Sequence, residues 1–142
     1  MTWFKSLFLN FLTVFFVDHI IPGIEISYYT KLPHIGGEMI WAASLGFVNS
    51  LIFPALRFFH PKPSHFKIGL ISFIVSFGAY SIVNLIPVGI KITRAEAFVY
   101  SGLIVWAVSY LTNHLEFRAF LYKKEQELEK KEEEMEKKDK EK

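Results

Sequence analysis

Residues 68–90 carry no Asp, Glu, Lys or Arg over 23 consecutive positions. A helix needs about twenty mostly apolar residues to cross the hydrocarbon core of a bilayer. Residues 97–115 share this property, apart from His114, and so do residues 39–56. A fourth stretch, 4–21, holds Lys5 near its start and Asp18-His19 near its end. Residues 68–90 and 97–115 are apolar all round, with Ser, Thr, Tyr, Asn and Gly interspersed, whereas a soluble helix keeps a polar face. The sequence predicts an all-α membrane protein with spans at about 4–21, 39–56, 68–87 and 97–115.

The charge distribution divides the chain. Seven Lys/Arg and five acids precede Phe117, whereas nine of each fall in the 26 positions from Phe117 onward. Residues 1–116 read as a membrane domain and residues 117–142 as a charged tail. The tail sums to zero, so it is no basic arm and no nucleic-acid partner is expected. With no cysteine there is no disulfide, thiolate metal site or Cys nucleophile. The first apolar stretch lacks a small-x-small cleavage site and is expected to be a retained span. Lys5, Arg57, Lys62, Lys67 and the basic start of the tail outnumber Lys31, Lys91 and Arg94. The positive-inside rule then places both termini in the cytoplasm.

The first span ends in "VDHIIPGIEI", where Pro22-Gly23 should stop the helix. Asp18 and His19 are expected to form an interfacial polar cap within reach of water. Shifted by 66 positions, this stretch meets "VNLIPVGIKI", with Val17, Ile20, Gly23, Ile24 and Ile26 on identical residues. Each copy has a helix-end corner, Pro22 and Gly23 or Pro87 and Gly89, followed by an I-x-I segment. Two repeated hairpins follow, about 4–56 and 68–115, related by a parallel pseudo-twofold axis along the membrane normal. The extracytoplasmic I-x-I segments are set up to pair as a two-stranded antiparallel ribbon. Glu25 would face Lys91, a cross-strand pair worth under about 1 kcal/mol.

Asn10, Asn49, Asn84 and Asn113 fall one per span and are expected to act as interhelical glue. Ala42, Gly46 and Ser50 form a small-residue row that admits a neighbouring helix, in this chain or in another copy. The connection at 53–67 has three prolines, and its His60 and His65 make a poor metal site without Cys or a nearby acid. No phosphate-cradling Gly loop, nucleophile elbow or HExxH occurs. Neither an enzyme activity nor a cofactor is expected.

The tail has helix-forming composition with Glu→Lys pairs at i,i+4: 127–131, 133–137, 134–138 and 136–140. As one helix it would extend about 40 Å. Leu121, Leu128 and Met135 recur every seven residues, half of a coiled-coil seam.

Pro22-Gly23-Ile24-x-Ile26, the second helix with "LGFVNSLIFP" (45–54), the third opening "IGLI" (68–71) and the returning corner occur in that order. Over about residues 5–115 the chain resembles the four-span phage holin superfamily IV type of bacterial membrane protein. The most specific matches are Asn49, Pro54 and the repeated corner. The resemblance implies a small multi-pass protein of the bacterial inner membrane, in a family whose members are mostly of unknown function. The charged tail, Pro87-Val88-Gly89, Ser76 and Gly78 depart from that pattern. Two functions follow as expectations. One is a holin-like protein whose copies associate and permeabilise the membrane. The other is a non-lytic accessory or scaffold protein whose tail, 117–142, binds a cytoplasmic partner. A third, an ion or solute pathway lined by the asparagines and Asp18, ranks last, because the spans lack central ionisable residues.

Overall fold

The structure is a computed structural model that describes residues 1–27, 36–59 and 63–140. Lys31, His60 and Lys62, used above in the charge and metal arguments, lie outside the described residues. Helix α1 runs Trp3–Ile20, strand β1 Ile24–Ile26, α2 Gly37–Ser50 and α3 Ile52–Phe59. Helix α4 runs His65–Ile82 into a 3-10 turn at Val83–Leu85, followed by strand β2 Ile90–Ile92 and helix α5 Ala95–Lys140. Four helical segments, with α2 and α3 taken together, are long and apolar enough to cross a membrane.

The first and third of these segments end at the expected corners. The Ile21 N–H closes α1 onto the Val17 carbonyl at 3.0 Å, and Pro22-Gly23 then turns the chain, with Gly23 at φ +97°. Gly89 at φ +79° turns the chain before β2. Glycine adopts this left-handed region without the steric cost of a Cβ.

Strands β1 and β2 pair antiparallel, with Ile24 opposite Ile92, Glu25 opposite Lys91 and Ile26 opposite Ile90. This is the register expected from aligning the two stretches. Beyond the strands, the Ser27 N–H donates to the Gly89 carbonyl at 2.7 Å, and the Thr93 N–H donates to the Gly23 carbonyl at 2.8 Å. The ribbon closes one end of the bundle over a cluster that includes Val14, Trp41, Leu45, Tyr80 and Val105. At the opposite end Ile52, Phe53, Leu56, Ile68 and Phe117 form a second cluster.

Ala42, Gly46 and Ser50 are all buried within the chain. A Cβ on Gly46 would lie 2.7 Å from the Phe11 backbone nitrogen. The row therefore brings α2 against α1 in the same molecule, and its glycine is not free to receive another copy.

Helix α5 passes from the bundle into the tail without a break over 46 residues. Bundle packing continues past the expected boundary at 116. Phe53 lies 5.9 Å from Phe117 and 6.1 Å from Phe120, ring centre to ring centre. The Arg57 guanidinium sits 4.4 Å above the Phe120 ring, a cation–π contact. From Leu121 to Lys140 every residue is exposed, a solvated arm about 30 Å long at the usual helical rise. Of the expected i,i+4 pairs, Glu136–Lys140 lies within ion-pair distance, at 3.9 Å.

Candidate functional site: a buried polar interior

Many polar side chains of the apolar helices point inward. Ser6, Asn10, Asn49, Ser72, Ser76, Ser109, Thr112 and Asn113 are each no more than 1% exposed. A hydroxyl or amide has no water partner in lipid, so turning it toward other helices is the favourable arrangement.

The central contact lies where α2 gives way to α3. Pro54 has no N–H for the Ser50 carbonyl, and its ring crowds that carbonyl. The helical ladder is interrupted there, and Asn113 of α5 fills the gap. Its Oδ1 accepts from the Phe53 N–H at 2.8 Å. Its Nδ2 donates to the Asn49 carbonyl at 2.8 Å and to the Ser109 carbonyl at 2.7 Å. Phe53 and Asn49 are the donor and acceptor that an uninterrupted helix would join directly. One amide thus substitutes for the lost backbone bond and ties the second span to the fourth.

Asn10 makes the corresponding link for the first span. Its Nδ2 donates to Thr112 Oγ1 at 2.9 Å and to the Ser6 carbonyl at 2.9 Å. The Trp106 indole N–H donates to the Gly69 carbonyl at 3.0 Å, tying α5 to α4. Asn49 contributes its backbone carbonyl, while its side-chain amide is buried without a hydrogen-bond partner among the described residues. Asn84 departs from the interhelical role. It is exposed, accepts from the Ile92 N–H at 2.7 Å and donates to the Ile92 carbonyl at 3.1 Å, so it braces β2.

Asp18 also departs from expectation. It is 1% exposed rather than a water-accessible cap, and its Oδ1 accepts from the Tyr80 hydroxyl at 2.9 Å. The reason is helical spacing. Asp18 lies four residues after Val14 and eight after Asn10, on the face that α1 turns to the bundle. His19, one residue on, is exposed and bonds the Phe15 carbonyl at 2.7 Å. The Trp41 ring meets Tyr80 edge-on at 6.0 Å, and Glu38, in the first turn of α2, is 5% exposed. Tyr80, Trp41 and Thr112 carried no sequence signal, because nothing in spacing alone pairs Tyr80 with an acid 62 positions earlier.

Near the opposite end, His65 Nδ1 lies 2.8 Å from His114 Nδ1. His60, the other histidine of the 53–67 connection, lies outside the described residues. No group of three or more His, Cys, Asp or Glu side chains is placed to hold a metal ion among the described residues.

No protein-family model, curated protein or solved structure matches this chain. The polar side chains at 0–1% exposure are turned away from the surface of the bundle. Through Asn10, Asn113 and Trp106, the fourth helical segment is tied to the other three.

Proposed function

We propose that this chain is a small integral inner-membrane protein whose four-span domain anchors a helical cytoplasmic arm, and that the arm is its interaction element. The supporting observation is the contrast within α5. Up to Phe120 one face of the helix is packed, with Ser101, Ser109, Thr112 and Asn113 turned inward, whereas from Leu121 its whole circumference is open. The anchor is a duplicated hairpin whose pseudo-twofold passes between Glu25 and Lys91. These two residues are equivalent under the 66-residue shift and opposite each other in the ribbon. The reciprocal bonds at Gly23 and Gly89 obey the same shift. Both termini face the cytoplasm, since Lys5, Arg57, Lys67 and Arg118 outnumber Lys91 and Arg94 among the described residues.

The test is truncation after Phe120. The shortened chain should insert and resist unfolding like the full chain, while losing every complex that the full chain forms in membranes. Complexes that persist without the arm would overturn the reading.

A second reading, a holin-like protein whose copies permeabilise the membrane, draws on the resemblance carried by the Pro-Gly corners, Asn49 and Pro54. It would require a pore lined by surfaces other than the buried polar interior. Depolarisation of the host membrane on accumulation would support it.

A further inference from the structure

The exposed arm contains a stricter repeat than its apolar residues alone suggest. From Leu121 it reads LYKKEQE, LEKKEEE, MEKKDKE. The apolar position of each heptad is followed by a Lys at the second and third positions and an acid at the fourth. The arm is continuously helical through these heptads up to Lys140. Leu121, Leu128 and Met135 thus form one ridge, 39%, 52% and 62% exposed, with no covering partner among the described residues.

With this ridge at the d position of a coiled coil, the g positions are Lys124, Lys131 and Lys138. The e positions from the second heptad on are Glu129 and Glu136. The ridge is therefore flanked by a basic row on one side and an acidic row on the other. Two such helices side by side and parallel place g opposite e: Lys124 faces Glu129 of a second copy, and Lys131 faces Glu136. An antiparallel pair would set Lys against Lys and Glu against Glu. Placing the ridge at the a position instead brings Glu127 opposite Glu132, which repels. One register and one orientation satisfy the flanking charges.

We infer that the arm pairs with the arm of a second copy as a parallel, in-register two-stranded coiled coil along Leu121, Leu128 and Met135. This rests on the reading of the arm as the interaction element and names its partner. Copies inserted with the same orientation present their arms on the same side and pointing the same way, as this geometry requires. Glu125, Glu132 and Asp139 occupy the remaining seam position, and acids there weaken the pair. Pairing therefore depends on the high effective concentration that anchoring two arms in one membrane provides.

The chain has no cysteine, so single-cysteine variants of the full-length protein in membranes test the inference directly. Leu128→Cys should form a disulfide-linked dimer on mild oxidation, and Gln126→Cys and Glu133→Cys, on the far face, should not. Lys124→Glu with Lys131→Glu should abolish the Leu128→Cys cross-link, and adding Glu129→Lys with Glu136→Lys to the same chain should restore it. Equal cross-linking on all faces, no cross-link at Leu128, a Lys124→Glu and Lys131→Glu chain that cross-links like the original, or failure of the added Glu129→Lys and Glu136→Lys to restore it would each overturn the inference. If truncation after Phe120 removes complexes while the Leu128 cross-link is absent, the arm has a different partner. The proposed function then stands without this inference.

Discussion

Asn113 makes the hydrogen bond that Phe53 cannot make within its own helix. Its side-chain oxygen accepts the Phe53 N–H at 2.8 Å, on the helix that Pro54 interrupts. Replacing Asn113 by Ala leaves a buried backbone donor and acceptor unpaired. The bundle should lose roughly 1–3 kcal/mol, read as a lower unfolding midpoint in detergent micelles. Pro54→Ala restores the missing N–H and relieves the crowding of the Ser50 carbonyl. In that background Asn113→Ala should cost clearly less, and a double-mutant cycle measures the coupling. Equal costs in the two backgrounds would show that the amide is not compensating for the proline.

Two of the close-packed glycines, Gly46 and Gly102, should respond differently to a methyl group. At Gly46 the added carbon meets the Phe11 backbone at 2.7 Å, while at Gly102 it meets the edge of the Phe77 ring at 2.6 Å. A ring rotates aside but a helix backbone does not. Gly46→Ala should therefore destabilise by about 1–3 kcal/mol, and Gly102→Ala by less. Unfolding of the two variants side by side checks the order.

Tyr80→Phe removes the donor that Asp18 Oδ1 accepts from. The buried carboxyl then loses a partner, and the variant should be destabilised by about 1–3 kcal/mol. Asp18→Asn retains an acceptor for the Tyr80 hydroxyl and should be better tolerated than Asp18→Ala. An alanine variant as stable as the asparagine variant would contradict this account of the pair.

The ribbon permits a charge-reversal test. Lys91→Glu sets two acids opposite each other across the strands, and adding Glu25→Lys restores opposite signs. The single variant should increase hydrogen exchange at the Ser27 and Thr93 amides, and the double variant should return it toward the original rate. Both residues are exposed, so the effect should shrink as salt is raised.

Much of this architecture was legible in the sequence, for identifiable reasons. Uncharged stretches of bilayer length mark the spans, because lipid tolerates little else. The opposition of Glu25 and Lys91 was expected from aligning the two similar stretches, since an antiparallel pair centred on matching residues sets those two central residues opposite each other. The interior was less legible. Asp18 looked interfacial because only its distance from Pro22 was available, whereas its burial depends on which face of α1 meets Tyr80. Asn113 was recognisable as a polar residue seeking a partner, but not as the repair of a break 60 residues earlier. The small-residue row of α2 was open to either use until α1 was seen lying on Gly46. The arm is the least legible part, because exposed charges report a solvated helix whether or not a second helix joins it.

The most direct test of the account is controlled induction of the full-length chain in a bacterial host, with membrane potential and culture density recorded throughout. A chain truncated after Phe120 and an unrelated four-span protein would run alongside at equal expression. An anchor whose polar groups are sealed inside its own bundle predicts steady growth and an intact potential for all three. Abrupt depolarisation at a set level of accumulation, absent from the unrelated protein, would contradict the account and establish a membrane-permeabilising protein instead.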